Sequence, residues 1–393
     1  MQRKKIWEDT RMSNKFLSEY NGVVTSDGRI LEGSVRNVFD PDLGLVINEL
    51  GARNNTEHFY REEYSLHEES ADSQIADYEN EMKVGISEVI TDFIKESWRG
   101  HEKSRIIDVG CGKGLMLRNF REKFPDSELT GVEPSERART MLSEDPALNE
   151  IRILSLDDVL RTDEKFDLLT INGVLEHVED PEKFLLDLKS IISEEGVLFV
   201  GVPNFLANPL DLLTYDHLTR FTPNSLGELF NSVGFHPVAS QVYDTRVAMW
   251  WLCEHASSAQ NLENISNHQN DFSLVEKNQI WLDKCLREIP PKVKSAKSAG
   301  KPVVFYGTAN FLPALLAQKA CLPDDVDHIV DDNESYWGSE RWGSKIESPE
   351  KVFSQDNFDP LVIISANPCY HERICDRANK LSQGKAEVLT FLI

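Results

Sequence analysis

One stretch limits the fold of this chain more than any other: Ile106-Ile107-Asp108-Val109-Gly110-Cys111-Gly112-Lys113-Gly114. A buried strand runs into a turn whose glycines permit positive φ and close ligand approach, and the helix that follows opens with free N–H groups. The dinucleotide fingerprint GxGxxG is not met, because Leu115 stands where its third glycine belongs. What stands is GxGxG preceded by an acid. Cys111 reads as a small residue in a tight turn and Lys113 as solvent-facing. Further apolar runs, SELTGVEP, IRILSL, FDLLTIN and GVLFVGVP, are separated by the amphipathic stretches SERARTMLSED, PEKFLLDLKSIISEE and PNSLGELFNSVGF. Alternation of this kind predicts an α/β domain built on a doubly wound parallel sheet. VGISEVITDFIKESW, ahead of it, has apolar residues at helical spacing. At the far end Thr222 is placed as an N-cap and Pro223 as the first helical residue.

A GxGxG turn preceded by an acid suits a ligand with no pyrophosphate to cradle. S-adenosylmethionine, which joins an amino acid, a sulfonium and a nucleoside, is such a ligand. Gly110, Gly112 and Gly114 let it approach, and Asp108 can accept hydrogen bonds from its amino group. Glu133 closes the second strand 19 residues after Gly114, with Pro134 beside it, and can accept from both ribose hydroxyls. Leu156, Asp157 and Asp158 follow the third strand, where the adenine edge would lie, and Asn172 ends the fourth, beside the methionine end. The alternative is a Rossmann-like domain whose glycines only turn the chain. DVGCGKG, GVEPS, SLDD and FDLLTINGVLEHVEDP, followed by GVLFVGVPN, make the chain resemble a class I S-adenosylmethionine-dependent methyltransferase over about residues 84–250. That resemblance implies a Rossmann-like fold, methyl transfer and S-adenosylmethionine as cofactor.

The flanks divide the chain further. Residues 1–65 read as a small β-rich lobe, with Asp27-Gly28 as a hairpin turn, and residues 66–255 as the cofactor-binding domain. Residues 57–82 hold nine acids and one base and read as a solvated helical face or a mobile segment. Residues 256–299 read as a helix flanked by linkers, IPPKVKSAKSAGK being one of them, and residues 300–393 as a smaller Rossmann-like α/β domain. DPDLGLVINELG followed by FYREEY, and VVFYGTANF followed by DHIVDDNESYWGSERWGSKIESPE, resemble the outer domains of a three-domain family of sugar C-methyltransferases. That family has two CxxCG zinc knuckles in its N-terminal lobe. Val24, Asp27, Asp40 and Leu43 occupy those cysteine positions here, so the lobe is expected to fold without metal. With one glycine, Gly307, in its turn, the C-terminal domain is expected to serve as a substrate platform or packing partner. Cys369 and His371 are too few ligands for a metal site.

Methyl transfer from a sulfonium is an in-line displacement that needs alignment, exclusion of water and, for a hydroxyl or carbon acid, a base. The stretch Leu213-Thr214-Tyr215-Asp216-His217 lies between the fifth strand and the Thr222-capped helix. His217 is the candidate general base, with loop structuring as its alternative; Asp216 orients it or acts itself, and Tyr215 binds or donates. The sugar C-methyltransferases carry Tyr-x-Glu-His here. Asp216-His217 matches the acid–His pair, but Thr214 occupies the Tyr position. Glu176 and His177 read as structural. Arg220 is a candidate partner for a substrate anion, or a member of a surface salt bridge. Met249-Trp250-Trp251-Leu252 reads as a buried last strand.

A net charge of −24 repels phosphate backbones and anionic lipid heads, so no nucleic-acid or membrane partner is expected. The six scattered cysteines, without a CxxC pair or a signal-like run at the N-terminus, point to the cytoplasm. The acceptor is expected to be a small molecule, most simply an activated sugar; the oligomeric state is left open. Two rival readings are a non-catalytic S-adenosylmethionine-binding regulatory module and a nicotinamide-dependent sugar oxidoreductase.

Overall fold

The computed structural model describes residues 14–51, 75–79, 82–98, 100, 103–242, 248–255 and 269–391. Strands β1 (Lys15–Val24) and β2 (Ile30–Asp40) form an antiparallel hairpin, and β3 (Leu45–Asn48) pairs with β2. The turn between β1 and β2 holds Asp27-Gly28, with Gly28 at φ +83° as the tight reversal requires. The residues set against zinc cysteines in the sequence analysis have other surroundings. Val24 is core, Asp40 accepts from the Asp42 and Leu43 N–H groups, and Asp27 pairs with Arg29 at 2.9 Å. Residues 57–74, 80 and 81 of the acidic stretch lie outside the described residues. Its described part departs from the helical reading: β4 (Ile75–Glu79) pairs antiparallel with β5 (Met82–Gly85). Ordering this stretch as a hairpin brings the chain directly into the helix Ile86–Ser97.

The central sheet then assembles from β6 (Arg105–Val109), β7 (Glu128–Val132), β8 (Arg152–Leu154), β9 (Phe166–Asn172) and β10 (Ile192–Pro203), all parallel. A two-residue strand, β11 (Thr219–Arg220), follows; β12 (Phe235–Val242) and β13 (Ala248–His255) then close the sheet, antiparallel beside β10. The order is β12-β13-β10-β9-β6-β7-β8, so the winding reverses between β6 and β9. In an open α/β sheet the crevice beyond the carboxyl ends at that reversal is where ligands bind. Alternate residues face two separate cores. Ile107, Leu169 and Val200 pack on the helices Pro181–Lys189 and Pro223–Ser232, while Ile106, Leu168 and Phe199 pack on Ile86–Ser97 and Leu115–Lys123. Thr222 caps the helix Pro223–Ser232 through a capping box, with Pro223 at its first position. Met249, Trp250 and Leu252 are buried in β13. The stretch PEKFLLDLKSIISEE is helical only to Lys189; from Ile192 it belongs to β10.

IPPKVKSAKSAGK is not a linker. The helix Gln269–Ser298 runs through Pro290 and Pro291. The reason is tertiary: Val275 and Leu282 are buried in the N-terminal core, and Ile289 and Val293 in the C-terminal one. That burial on both sides offsets the roughly 3 kcal/mol that an interior proline costs. Beyond it lie β14 (Val303–Tyr306), β15 (His328–Val330), β16 (Glu340–Arg341), β17 (Ser344–Glu347), β18 (Leu361–Ile364) and β19 (Glu387–Leu389), a second sheet in the order β16-β17-β15-β14-β18-β19. All its pairings are parallel except β16 with β17. No helix among the described residues is long and apolar enough to cross a membrane.

The N-terminal sheet has a fourth strand, and it comes from the methyl-acceptor loop anticipated above: β11 pairs with β3, Thr219 opposite Ile47 and Arg220 opposite Val46. The C-terminal domain docks on the same lobe. Gln318 Nε2 donates to the Asn21 and Gly22 carbonyls, and Trp342 Nε1 donates to the Gly28 carbonyl at 2.8 Å. Gly22 sits at φ +81°, and a Cβ there would stand 2.2 Å from the Ala317 carbonyl oxygen. Gly22→Ala is therefore expected to lower stability by more than about 1 kcal/mol. Urea unfolding measures this, and a midpoint unchanged from wild type contradicts the docking.

Candidate active site

The residues expected to hold a cofactor lie beyond the carboxyl ends of four adjacent strands. Asp108 is buried near the end of β6, opposite Thr170 of β9, whose hydroxyl donates to Asp108 Oδ1 at 2.7 Å. The turn after it needs its glycines, with φ at +79° for Gly110, +51° for Gly112 and +72° for Gly114. A Cβ on Gly110 would stand 2.4 Å from Val174 Cγ2, and one on Gly114 2.8 Å from Leu148 Cδ1. Over Gly112 there is only open space. The helix Leu115–Lys123 then starts from Gly114 without a side-chain cap, which leaves its first N–H groups for a ligand. Leu115, where a third glycine was sought, is already helix.

Glu133 follows β7 and joins this turn directly. Its Oε2 accepts from the Gly112 N–H at 3.1 Å and its Oε1 from the Ser135 N–H at 3.0 Å. Burial raises its pKa, against the pull of those two bonds and of Arg139. Asp108 is pushed up to about 6, first by burial; the Thr170 bond opposes this and the charge of Glu133 adds to it. Two buried carboxylates thus flank an open cradle. Pro134 is exposed on the rim. Leu156 starts a short helix capped by Ser155 and is half-buried, Asp157 is exposed beside it, and Asn172 lies half-buried over Gly201.

The second part of the site is a buried cluster at the other end of the same edge. It begins just past Val174, the residue packed on Gly110. Glu176 and His177 meet residues of the loop 209–222, held by the Leu218 N–H donating to the Glu176 carbonyl at 2.8 Å. The rings of His177 and His217 meet edge to face, centroids 4.8 Å apart. His217 Nδ1 pairs with Asp211 Oδ1 at 2.5 Å, and His177 Nδ1 with the Asp216 carbonyl oxygen at 2.9 Å.

Of the three residues expected to act on the acceptor, His217 alone is placed here by its ring. Asp216 is fully buried and accepts from Ser26, N–H at 2.8 Å and hydroxyl at 2.5 Å, so it fastens the N-terminal lobe. Tyr215 turns the same way. Its N–H donates to the Val24 carbonyl at 2.7 Å and its ring lies against Gly33. Arg220 is not a surface pair, and its buried Nη1 has no hydrogen-bond partner among the described residues. It is 1% exposed, and donates to the Asp211 carbonyl at 2.8 Å and the Thr214 carbonyl at 3.0 Å. Glu176 and His177, read as structural from sequence, share the cluster with His217; their signal was an acid–His pair directly after a sheet strand at the switch point. Asp211 carried no such signal, since its tie to His217 depends on a 3₁₀ turn at Pro209–Leu213.

Residues 78–240 match the family model described as a methyltransferase domain. The chain is 30% identical over 148 residues to the ubiquinone biosynthesis O-methyltransferase of Actinobacillus pleuropneumoniae serotype 5b (strain L20), covering 35% of this chain and 62% of that protein. It is 33% identical over 99 residues to the tRNA U34 carboxymethyltransferase of Campylobacter jejuni, covering 24% of this chain and 34% of that one. Among solved structures it is similar to the mitomycin 7-O-methyltransferase MmcR, with TM-score 0.37 and 18% identity over 44% of this chain and 54% of the other. The chain spans from 49% to 62% of the length of the ubiquinone O-methyltransferases it matches.

The cluster's charges are set by one another. Burial alone would strip the proton from His217, but Asp211, Asp216 and Glu176 outweigh it and push its pKa up to about 9. Burial, then the His217 charge, lowers His177 to about 4, and burial raises Glu176 to about 7. At neutral pH, His217 and Arg220 therefore face the carboxylates of Asp211 and Asp216, and His177 is neutral. Because His217 holds its proton more tightly folded than unfolded, its contribution is complete below pH 6.5 and is lost as pH rises to about 9. Glu176 loses its own contribution in the same direction but lower, through about 7, and His177 loses its contribution as pH falls toward about 4. Thermal unfolding is expected to show Tm falling between pH 6.5 and 9, with His217→Gln removing most of that slope. An equal slope in the variant contradicts the pairing.

Proposed function

We propose, from the premise that residues 78–240 form a class I methyltransferase domain with the Rossmann-like fold of S-adenosylmethionine-dependent enzymes, that this chain transfers a methyl group from that cofactor to an oxygen or carbon of a small acceptor. The observation that carries the reading is the pair of buried carboxylates, Asp108 and Glu133, beside the open Gly112 cradle. A ligand bearing an ammonium, a sulfonium and ribose hydroxyls supplies the positive charge and donors that such a pair lacks. A dinucleotide brings a negatively charged pyrophosphate to the same two acids, which disfavours the oxidoreductase reading.

Methyl transfer asks the protein to align the acceptor and to stabilise charge that develops as its proton leaves to solvent. Asp211, Asp216 and Glu176 raise the His217 pKa to about 9, so it holds its proton at neutral pH, and we assign it the role of a cationic partner for the acceptor oxygen, oriented by Asp211. Asp216 and Tyr215 hold the loop rather than the substrate. An activated, nucleotide-linked sugar is the acceptor class to test first, supported by the likeness of the outer domains to those of sugar C-methyltransferases.

The cofactor reading has a proton signature. In the free protein Asp108 is half protonated at about pH 6, and a bound ammonium fixes it as a carboxylate, so binding at that pH releases about half a proton. Calorimetric titration with S-adenosylhomocysteine at pH 6, in two buffers of different ionisation enthalpy, reads this number. Release is expected in wild type, to vanish in Asp108→Asn and to vanish by pH 8; NAD is expected not to bind. Binding of NAD in place of the sulfur nucleosides would falsify the reading. With binding established, transfer of labelled methyl to nucleotide-linked sugars identifies the acceptor.

A further inference from the structure

The run Pro290-Pro291-Lys292-Val293-Lys294-Ser295-Ala296-Lys297-Ser298-Ala299-Gly300-Lys301 holds four lysines and no acid in a chain of net charge −24. Neither end of the candidate active site draws on it. Its helical part forms one wall of an open groove with a cavity volume of about 510 Å³. The other wall is the segment that follows the helix Phe311–Ala317. Val293 and Cys321 are its buried floor, and Leu322, 54% exposed, stands on its rim. Three lysines converge on this space: Lys294 and Lys297, one helical turn apart, from the first wall and Lys319 from the second. Lys297 pairs with Asp327 at 2.9 Å. The ammonium groups of Lys294 and Lys319 have no hydrogen bond or ion pair among the described residues. Asp325 also lines the groove, but its Oδ2 is turned to its own loop and accepts from the Leu322 N–H at 2.9 Å.

The backbone of Lys319 is the independent observation. Its φ is +54°; the Ala320 N–H donates to the Leu315 carbonyl at 2.9 Å and the Lys319 N–H to the Leu316 carbonyl at 3.0 Å. That double hydrogen-bond pattern ends a helix on a left-handed residue, a place that glycine fills without strain. A lysine there costs stability, and residues held in such conformations concentrate at ligand sites. We propose that this groove binds a small soluble phosphate monoester with an apolar body. Lysine ammonium groups, unlike the planar arginine fork, act as point charges and suit a compact dianion reached from several sides. The volume is that of a metabolite pocket, and Val293 and Leu322 supply apolar surface for the rest of the molecule. Gln318, next to Lys319, donates to the Asn21 and Gly22 carbonyls, so the anion lies beside the contact that docks the C-terminal domain on the N-terminal lobe. The site stands whatever reaction the methyltransferase domain performs.

The test is calorimetric titration of the full chain with phenyl phosphate at low ionic strength. One saturable site per chain is expected, with inorganic phosphate bound more weakly and phenol not bound. Lys294→Gln and Lys319→Gly are each expected to weaken phenyl phosphate binding about 5–10-fold. Lys292→Gln, which removes an exposed charge of the same run outside the groove, leaves it unchanged. Lys319→Gly also separates binding from folding. Glycine relieves the left-handed strain, so Tm is expected to rise by about 1–2 °C while affinity falls. Absence of saturable binding, full affinity in either groove variant, or a Tm lowered by Lys319→Gly overturns the site. An equal loss in Lys292→Gln, or phenol or inorganic phosphate bound as tightly as phenyl phosphate, overturns it as well.

Discussion

The buried carboxylate of Asp216 holds the N-terminal lobe to the loop that carries His217. Ser26 donates to it twice from the β1–β2 turn, and its own carbonyl fixes His177, whose ring meets that of His217. On one side the loop continues into β11, the fourth strand of the lobe's sheet. The other side of the same β1–β2 turn is gripped by the C-terminal domain through Trp342 and the Gly28 carbonyl. A carboxylate taken fully out of water is tolerable only with partners of this quality. Burial works against its charge, but His177, His217 and the Ser26 bonds keep its pKa low. Without the lobe, Asp216 would lose its two hydroxyl and amide donors and the histidines would lose their alignment.

The two ends of the candidate site follow opposite electrostatic rules. At the cradle, Asp108 and Glu133 are left short of positive charge, and burial raises both pKa values. At the cluster, Arg220 and His217 face Asp211 and Asp216, so charge is balanced internally, and the buried atoms left without a hydrogen bond among the described residues are Glu176 Oε2, Arg220 Nη1 and the Thr219 hydroxyl. A cationic ligand suits the first and a proton suits the second. The contact of Val174 with Gly110 joins the two regions along one sheet edge.

Much of this was legible in the sequence, for reasons that are local. The strand–turn–helix at 106–123 is specified by glycines that no other residue replaces at positive φ, and the alternating apolar runs gave the parallel sheet and both of its faces. The Thr222-Pro223 start is equally local. What escaped depends on contacts between distant segments. Pro290 and Pro291 read as a linker because their cost is local, whereas the burial of Val275, Leu282, Ile289 and Val293 that offsets it joins two separate cores. The Tyr215-Asp216-His217 triplet read as one catalytic unit, yet its residues face different partners: Tyr215 the N-terminal sheet, Asp216 Ser26, and His217 an aspartate six positions earlier. No spacing rule encodes that Asp211 completes the cluster.

The most direct measurement of the account is a crystal structure of the full chain with S-adenosylhomocysteine. The account predicts the ribose hydroxyls on Glu133, the amino group beside Asp108 and the sulfur facing the His177–His217 pair. The nucleoside bound in the C-terminal domain, or its sulfur turned away from those two rings, would contradict it.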